Sequence, residues 1–198
     1  MVIFLVIFGS LINFSGSLVY LRDTIRGRSK PNRVTFLMWT VSPMITTAAA
    51  LSDGVRWPVL PVFMTGFVTL LIFLASFLNP NAYWKLTRFD YFCGVLSILA
   101  LVLWAITKEP SVAVLFAVAS DLFATTPTLI KSWRHPETET GIAYAASFLS
   151  AITALLVIET WTFTAYAFPI DMLVVNSLIF VSIYRKRFWR PTRGAKGL

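Results

Sequence analysis

Between residues 2 and 184 the chain is a near-continuous succession of apolar runs, each about 20 residues long and separated by short polar turns. A run of that length crosses the hydrocarbon core of a bilayer as a helix. Lipid offers no partner to unpaired backbone groups, so a helix is the form such a run takes. The chain has room for about seven spans, which leaves short loops and no space for a soluble domain. Composition agrees, because 57% hydrophobic and 13% charged residues, with a mean hydropathy of +0.75, give too little polar surface to cover a water-soluble globule. The expected class is an all-α membrane protein with a single membrane domain over residues 1–198.

The expected helices cover residues 2–21, 34–52, 58–78, 90–107, 111–130, 141–159 and 161–184. No cation precedes the first run, whereas Arg22, Arg26, Arg28, Lys30 and Arg33 follow it, so the positive-inside rule puts the N-terminus outside. A cleavable signal peptide would need a charged start and a shorter apolar core. Alternation then places the turns at 53–58 and 108–110 outside, and Lys85, Arg88, Lys131, Arg134 and the tail with Arg185, Lys186, Arg187, Arg190, Arg193 and Lys196 on the cytoplasmic side. Of the 17 lysines and arginines, all but Arg56 and Lys108 fall on that side. The net charge of +8 is thereby read as a topology signal and a contact for anionic membrane lipid, and no nucleic-acid partner is expected. The expected location is the bacterial plasma (inner) membrane. Trp57, Trp161 and Trp189 lie near expected interfaces as an aromatic belt, and Asp90 is expected to cap the fourth helix.

A shift of 105 residues lays Ser15, Ile25, Pro31, Thr35 and Ser42 on Ser120, Ile130, Pro136, Thr140 and Ser147, with Arg26 on Lys131 and Trp39 on Tyr144. Trp57 and Trp161, which open the third helix of each half, correspond to within about a residue. A three-helix unit enters on one side and leaves on the other, so repeating it in the same orientation requires a linking helix. The expected organisation is three plus one plus three: residues 1–78, a linker with the fourth helix at 79–110, residues 111–184, and a basic cytoplasmic tail at 185–198.

Residues 120–144, SDLFATTPTLIKSWRHPETETGIAY, combine a mid-run acid, a proline, a basic turn and a second proline. Two basic, proline-bearing loops, each following the first helix of a three-helix unit, resemble those of the PQ-loop superfamily, which includes the SWEET sugar facilitators. The matching positions are Pro127-Thr128, where the family's Pro-Gln pair sits, with Lys131 and Pro136-Glu137-Thr138. The first half departs, with Val19-Tyr20-Leu21-Arg22 and no proline at the equivalent place. The resemblance implies alternating access, with pocket-lining Asn and Trp on the third helix of each repeat. Asn176 fits that role in the seventh run, and the third run offers no counterpart.

Asp121 and Asp171 fall near the middle of their runs, where an ionised carboxylate costs about 2.5–3.5 kcal/mol to insert. Groups at that depth face the bundle interior, a partner or water. Sharing one cavity, the two acids would couple to protons or balance a cationic substrate; otherwise each bonds hydroxyls such as Ser120, Thr125 or Ser147 and fixes packing. The Asn13 and Asn176 amides offer hydrogen bonds to a solute or between helices. Ser42 and Ser147, matched across the repeat, complete the candidate lining. Pro127 is the first candidate hinge, then Pro43 and Pro169, since each removes a backbone donor. Gly9, Asn13, Gly16 and Ser17 share a face of the first run, which favours close packing on a neighbour.

No enzymatic chemistry, cofactor or metal is expected. The single cysteine, Cys93, excludes an internal disulfide and a multi-cysteine metal site, and the one histidine, His135, stands in a loop without metal-binding spacing. A two-carboxylate intramembrane enzyme lacks its motif context, and a retinal protein lacks a lysine within a span, Lys186 lying past the seventh. The expected function is movement of a small polar solute (a sugar, amino acid or organic cation) by alternating access, with proton coupling through a mid-membrane carboxylate as one form of it. The alternative is a non-transporting PQ-loop-like receptor or sensor, and a homo-oligomer is open in either case.

Overall fold

The computed structural model describes residues 2–82, 84–107 and 109–188. Lys108, Trp189, Arg190, Arg193 and Lys196 lie outside the described residues, as do the side chains of Lys186 and Arg187. Among the described residues all regular structure is helical: α1 (Val2–Ile25), α2 (Arg33–Ser52), α3 (Val59–Ala75), α4 (Arg88–Thr107), α5 (Pro110–Arg134), α6 (Gly141–Leu156) and α7 (Phe163–Phe188), with single 3₁₀ turns at Pro80–Ala82 and Pro136–Thr138. Four segments are long and apolar enough to cross a membrane, namely Ile3–Ile25, Arg33–Ser52, Pro110–Arg134 and Phe163–Arg185. Val59–Ala75 and Gly141–Leu156 are shorter apolar helices.

The helix ends differ from the hydropathy reading for local reasons. α1, α5 and α7 each continue about one turn past their first cation. Arg22, Lys131 and Arg134 therefore ride on last turns, where cations complement the unpaired carbonyls. α3 stops at Ala75 rather than 78. There the Ser76 hydroxyl donates to Phe73 O at 2.6 Å and the Phe77 N–H turns to Leu74 O at 3.1 Å; Pro80 has no N–H to offer Ser76 O, which instead accepts from Arg33 Nη2 of α2 at 2.7 Å. Asp90 is not the cap of α4. Thr87 holds that position, donating its hydroxyl to Asp90 Oδ2 and receiving the Asp90 N–H at 3.3 Å, while Asp90 Oδ2 accepts from Thr87 N–H. This is the reciprocal capping arrangement with Asp three residues into the helix, and Asn32, which caps α2, also donates to Asp90.

α3 packs against both α1 and α2, and α7 against both α5 and α6; the two sets meet along α1 with α6 and α2 with α5, and α4 lies chiefly on α5. The small residues of α1 explain the first seam. A Cβ on Gly9 would stand 1.8 Å from the Thr153 hydroxyl, and one on Gly16 2.3 Å from the Ala146 Cβ, so only glycine lets α1 approach α6 this closely. In α2, Pro43 leaves Trp39 O without its helical N–H partner. The Thr69 hydroxyl of α3 lies 2.8 Å from that carbonyl, nearer than to Thr65 O at 2.9 Å and Gly66 O at 3.0 Å on its own helix, so its one proton is within reach of the carbonyl that Pro43 leaves open. Gly66 keeps α3 near enough for it, since a Cβ there would meet Thr40 O at 3.2 Å and the Pro43 ring at 3.3 Å.

The basic end of the bundle is tied across its two connecting loops. Lys30 N–H donates to Thr138 O at 3.0 Å, the Ser29 and Thr140 hydroxyls bond each other at 2.5 Å, and Lys131 Nζ donates to Lys30 O. These contacts bring residues about 110 positions apart in the chain into one layer.

Candidate functional site

A cavity of about 50 Å³ lies where the two helix sets meet, with Ser17, Trp39, Thr65, Asp121, Ser147, Met172 and Asn176 in its wall. Its volume suits a few waters. Asp121 enters the wall from α5; Asp171 of α7, expected as a lining residue, is not among the residues of the wall but sets its carboxyl against that of Asp121. Both residues are 6% exposed. The indole N–H of Trp39 donates to Thr125 Oγ1 at 3.1 Å, and Thr125 in turn donates to Asp121 Oδ2 at 3.4 Å. Asp171 Oδ2 is buried without a hydrogen-bond partner. Two ionised carboxylates in contact repel each other, so a proton or a cation between them is the partner this arrangement accepts chemically.

The other expected site residues divide into three groups. Asn176 and Ser147 stand in the cavity wall, with Asn176 Nδ2 donating to Met172 O at 2.6 Å. Asn13 is fully buried one layer behind: it donates to Thr65 Oγ1 at 2.8 Å and accepts from Ser17 at 3.2 Å, orienting two hydroxyl residues that do reach the cavity. Ser42 points elsewhere, into the α2–α5 seam, where its hydroxyl donates to Ser120 Oγ at 3.2 Å. Its match with Ser147 in sequence is not a match in environment. Pro43, Pro127 and Pro169 lie inside continuous helices, and near Pro127 the Thr35 hydroxyl of α2 reaches Ala124 O at 2.7 Å.

Sequence reasoning missed the groups that close the cavity at its basic end. Tyr20, Phe36, Trp39 and Tyr144 form a cluster of tilted and edge-on rings with neighbouring centroids 5.2 to 6.2 Å apart. Trp39 and Tyr144, aligned by the 105-residue shift, are one of these pairs at 6.2 Å. Beneath the rings Glu139 accepts both phenol hydroxyls on Oε2, from Tyr20 at 2.7 Å and Tyr144 at 2.6 Å. Its other oxygen lies 2.5 Å from Lys131 Nζ. Lys131, read from the sequence as marking the cytoplasmic exit of the fifth run, is buried, at 2% exposed. The only sequence signal for this was the position of Lys131 one turn after Pro127 with an acid eight residues on.

At the opposite end Asp53, Arg56, Trp57, Glu159 and Thr162 surround a depression of about 340 Å³. Small and apolar residues separate it from the central cavity, among them Val62, Ala117 and Ala151 packed on Phe168 and Met172. Trp57 and Trp161 are both exposed at this end.

Compared with models of protein families, with curated proteins and with solved structures, the chain matches none.

Proposed function

We propose that the protein is a carrier for a small polar solute, working by alternating access between two three-helix units, α1–α3 and α5–α7, joined by α4. The observation that carries this reading is the contact between the Asp121 and Asp171 carboxyls at a cavity between the two helix sets. Burying two acids side by side mid-span is costly for a purely structural element and useful for a site that loads and unloads a proton or a cationic solute. The packing supports the repeat, since α1–α3, α2–α3 and α1–α6 have counterparts in α5–α7, α6–α7 and α5–α2. In this reading all seven helices span, the N-terminus is outside, the basic loops and C-terminus are cytoplasmic, and the chain is a PQ-loop-like, SWEET-like protein of a bacterial inner membrane. The tied loops and aromatic cluster then form a closed cytoplasmic gate, and the depression at Asp53 and Arg56 is the vestibule on the other side.

A non-transporting receptor or sensor of the same architecture is the second reading, favoured by one observation: a cavity of about 50 Å³ is too small for a sugar without rearrangement. The test is thermal stability of the purified protein against sugars, amino acids and polyamines at acid and alkaline pH, for wild type and Asp121→Asn, followed by uptake of any hit into proteoliposomes. A ligand that stabilises wild type but not the variant, and that is taken up, supports the carrier. Stabilisation without uptake moves the assignment to the receptor, and no stabilisation by any solute removes the solute site.

A further inference from the structure

Away from the central cavity, the outer seam between α5 and α7 carries a groove of about 450 Å³. Leu129, Ile130, Trp133, Leu178 and Val181 line it, with Arg134 and Ser182 at its basic end. A second apolar groove, of about 580 Å³ between α1 and α6, has Ser15 as its only polar side chain among the lining residues. The difference is the charge at one end. Arg134 is exposed and makes no ion pair among the described residues. The Arg185 guanidinium stacks 4.4 Å over the Trp133 ring and donates one Nη to Ser182 O at 2.8 Å, leaving its remaining donors for another acceptor. No acid occurs in residues 130–134 or 178–188, and Glu137, the next one beyond α5, lies 3.4 Å from His135 Nδ1.

From Leu178 to Arg185 α7 rises about 10 Å, so Arg134 in the lining, with Arg185 beside it over the Trp133 ring, heads an apolar channel deep enough for the first part of an acyl chain. The geometry points to a bound anionic phospholipid on the α5–α7 seam, its phosphate held by Arg134 and Arg185 and a chain lying along Leu129, Trp133, Leu178 and Val181. Charge complementarity commits the groove to this occupant: a zwitterionic phospholipid would bring its own cation up to the two arginines, and a soluble anion would leave the apolar channel unused. Basic pockets between spans bind phospholipid headgroups for this combined reason, and an exposed tryptophan suits headgroup depth. The site stands whether or not the protein is a carrier.

The test uses the full chain in neutral detergent, with melting temperature read against phosphatidylglycerol and phosphatidylcholine of equal chain length, and against inorganic phosphate. Phosphatidylglycerol is expected to raise Tm saturably, phosphatidylcholine much less and phosphate not at all. Arg134→Gln with Arg185→Gln is expected to abolish the difference between the two lipids, while Arg26→Gln with Arg28→Gln, at another exposed part of the basic end, retains it. Leu178→Trp, which fills the groove and keeps both arginines, is expected to lose the shift as well. Equal responses to the two lipids, the same loss in both arginine pairs, full retention in Leu178→Trp, or an equal shift with phosphate alone would each overturn the proposal.

Discussion

Lys131 of α5 and Glu139, just before α6, form an ion pair at 2.5 Å with side chains 1% and 0% exposed, and the hydroxyls of Tyr20 and Tyr144 bind the carboxylate from α1 and α6. Removing one member of a buried pair strands the other charge and costs about 3–5 kcal/mol, whereas removing both together is far milder. Lys131→Met is therefore expected to destabilise the protein by about 3–5 kcal/mol and Lys131→Met with Glu139→Gln by clearly less. Chemical denaturation of the two variants in detergent measures the difference. Equal losses would show that the pair does not act as a unit.

At the α1–α6 seam the test is steric. Alanine at position 16 gains helix propensity of up to about 1 kcal/mol but drives its Cβ to 2.3 Å from the Ala146 Cβ. Overpacking of this kind costs about 1–3 kcal/mol, so Gly16→Ala is expected to lower Tm. Ala146→Gly in the same chain is expected to restore part of the loss, and the remainder reflects Ile142 O, 3.2 Å from the added methyl.

Trp39 O and Thr69 define a proline site that depends on its neighbour. Thr69→Val is expected to cost about 1–3 kcal/mol by leaving a buried carbonyl unpaired. Pro43→Ala restores an N–H to that carbonyl, so the same Thr69→Val change in a Pro43→Ala background is expected to cost less. A double-mutant cycle on Tm reads the coupling directly.

Labelling tests topology. Cys93 is the single cysteine and is buried, so native protein is expected to resist maleimide until unfolded. With Cys93 replaced by Ser, cysteines at Arg28 and at Gly54 are expected to react with an impermeant reagent from opposite faces of a sealed membrane. Labelling of both from one face would rule out α2, the one helix between them, as a crossing.

Much of the helical plan was legible because hydropathy, loop cations and prolines are local signals. The turns between apolar runs fell within a few residues of the observed helix ends, and the differences at Ala75 and at Asp90 came from short-range side-chain bonds, Ser76 to Phe73 O and Thr87 with Asp90. Asp121 and Asp171 also announced themselves, since a carboxylate in the middle of an apolar run is conspicuous at any single position.

Which faces meet was not legible. In a soluble helix the apolar stripe marks the core, but a helix in lipid is apolar on the outside as well, so periodicity loses its meaning. Asp121 and Asp171 are 50 residues apart in the chain, and Tyr20 and Glu139 are 119 apart; nothing local says that either pair touches. Local residue pattern was enough for the helices, their order and the place of the two acids along them. Tertiary packing decided that the acids meet, that Ser42 turns away while Ser17, Trp39 and Thr65 turn in, and that Lys131 is a buried partner rather than a loop charge, because each of these depends on which neighbour supplies the opposing charge, donor or space.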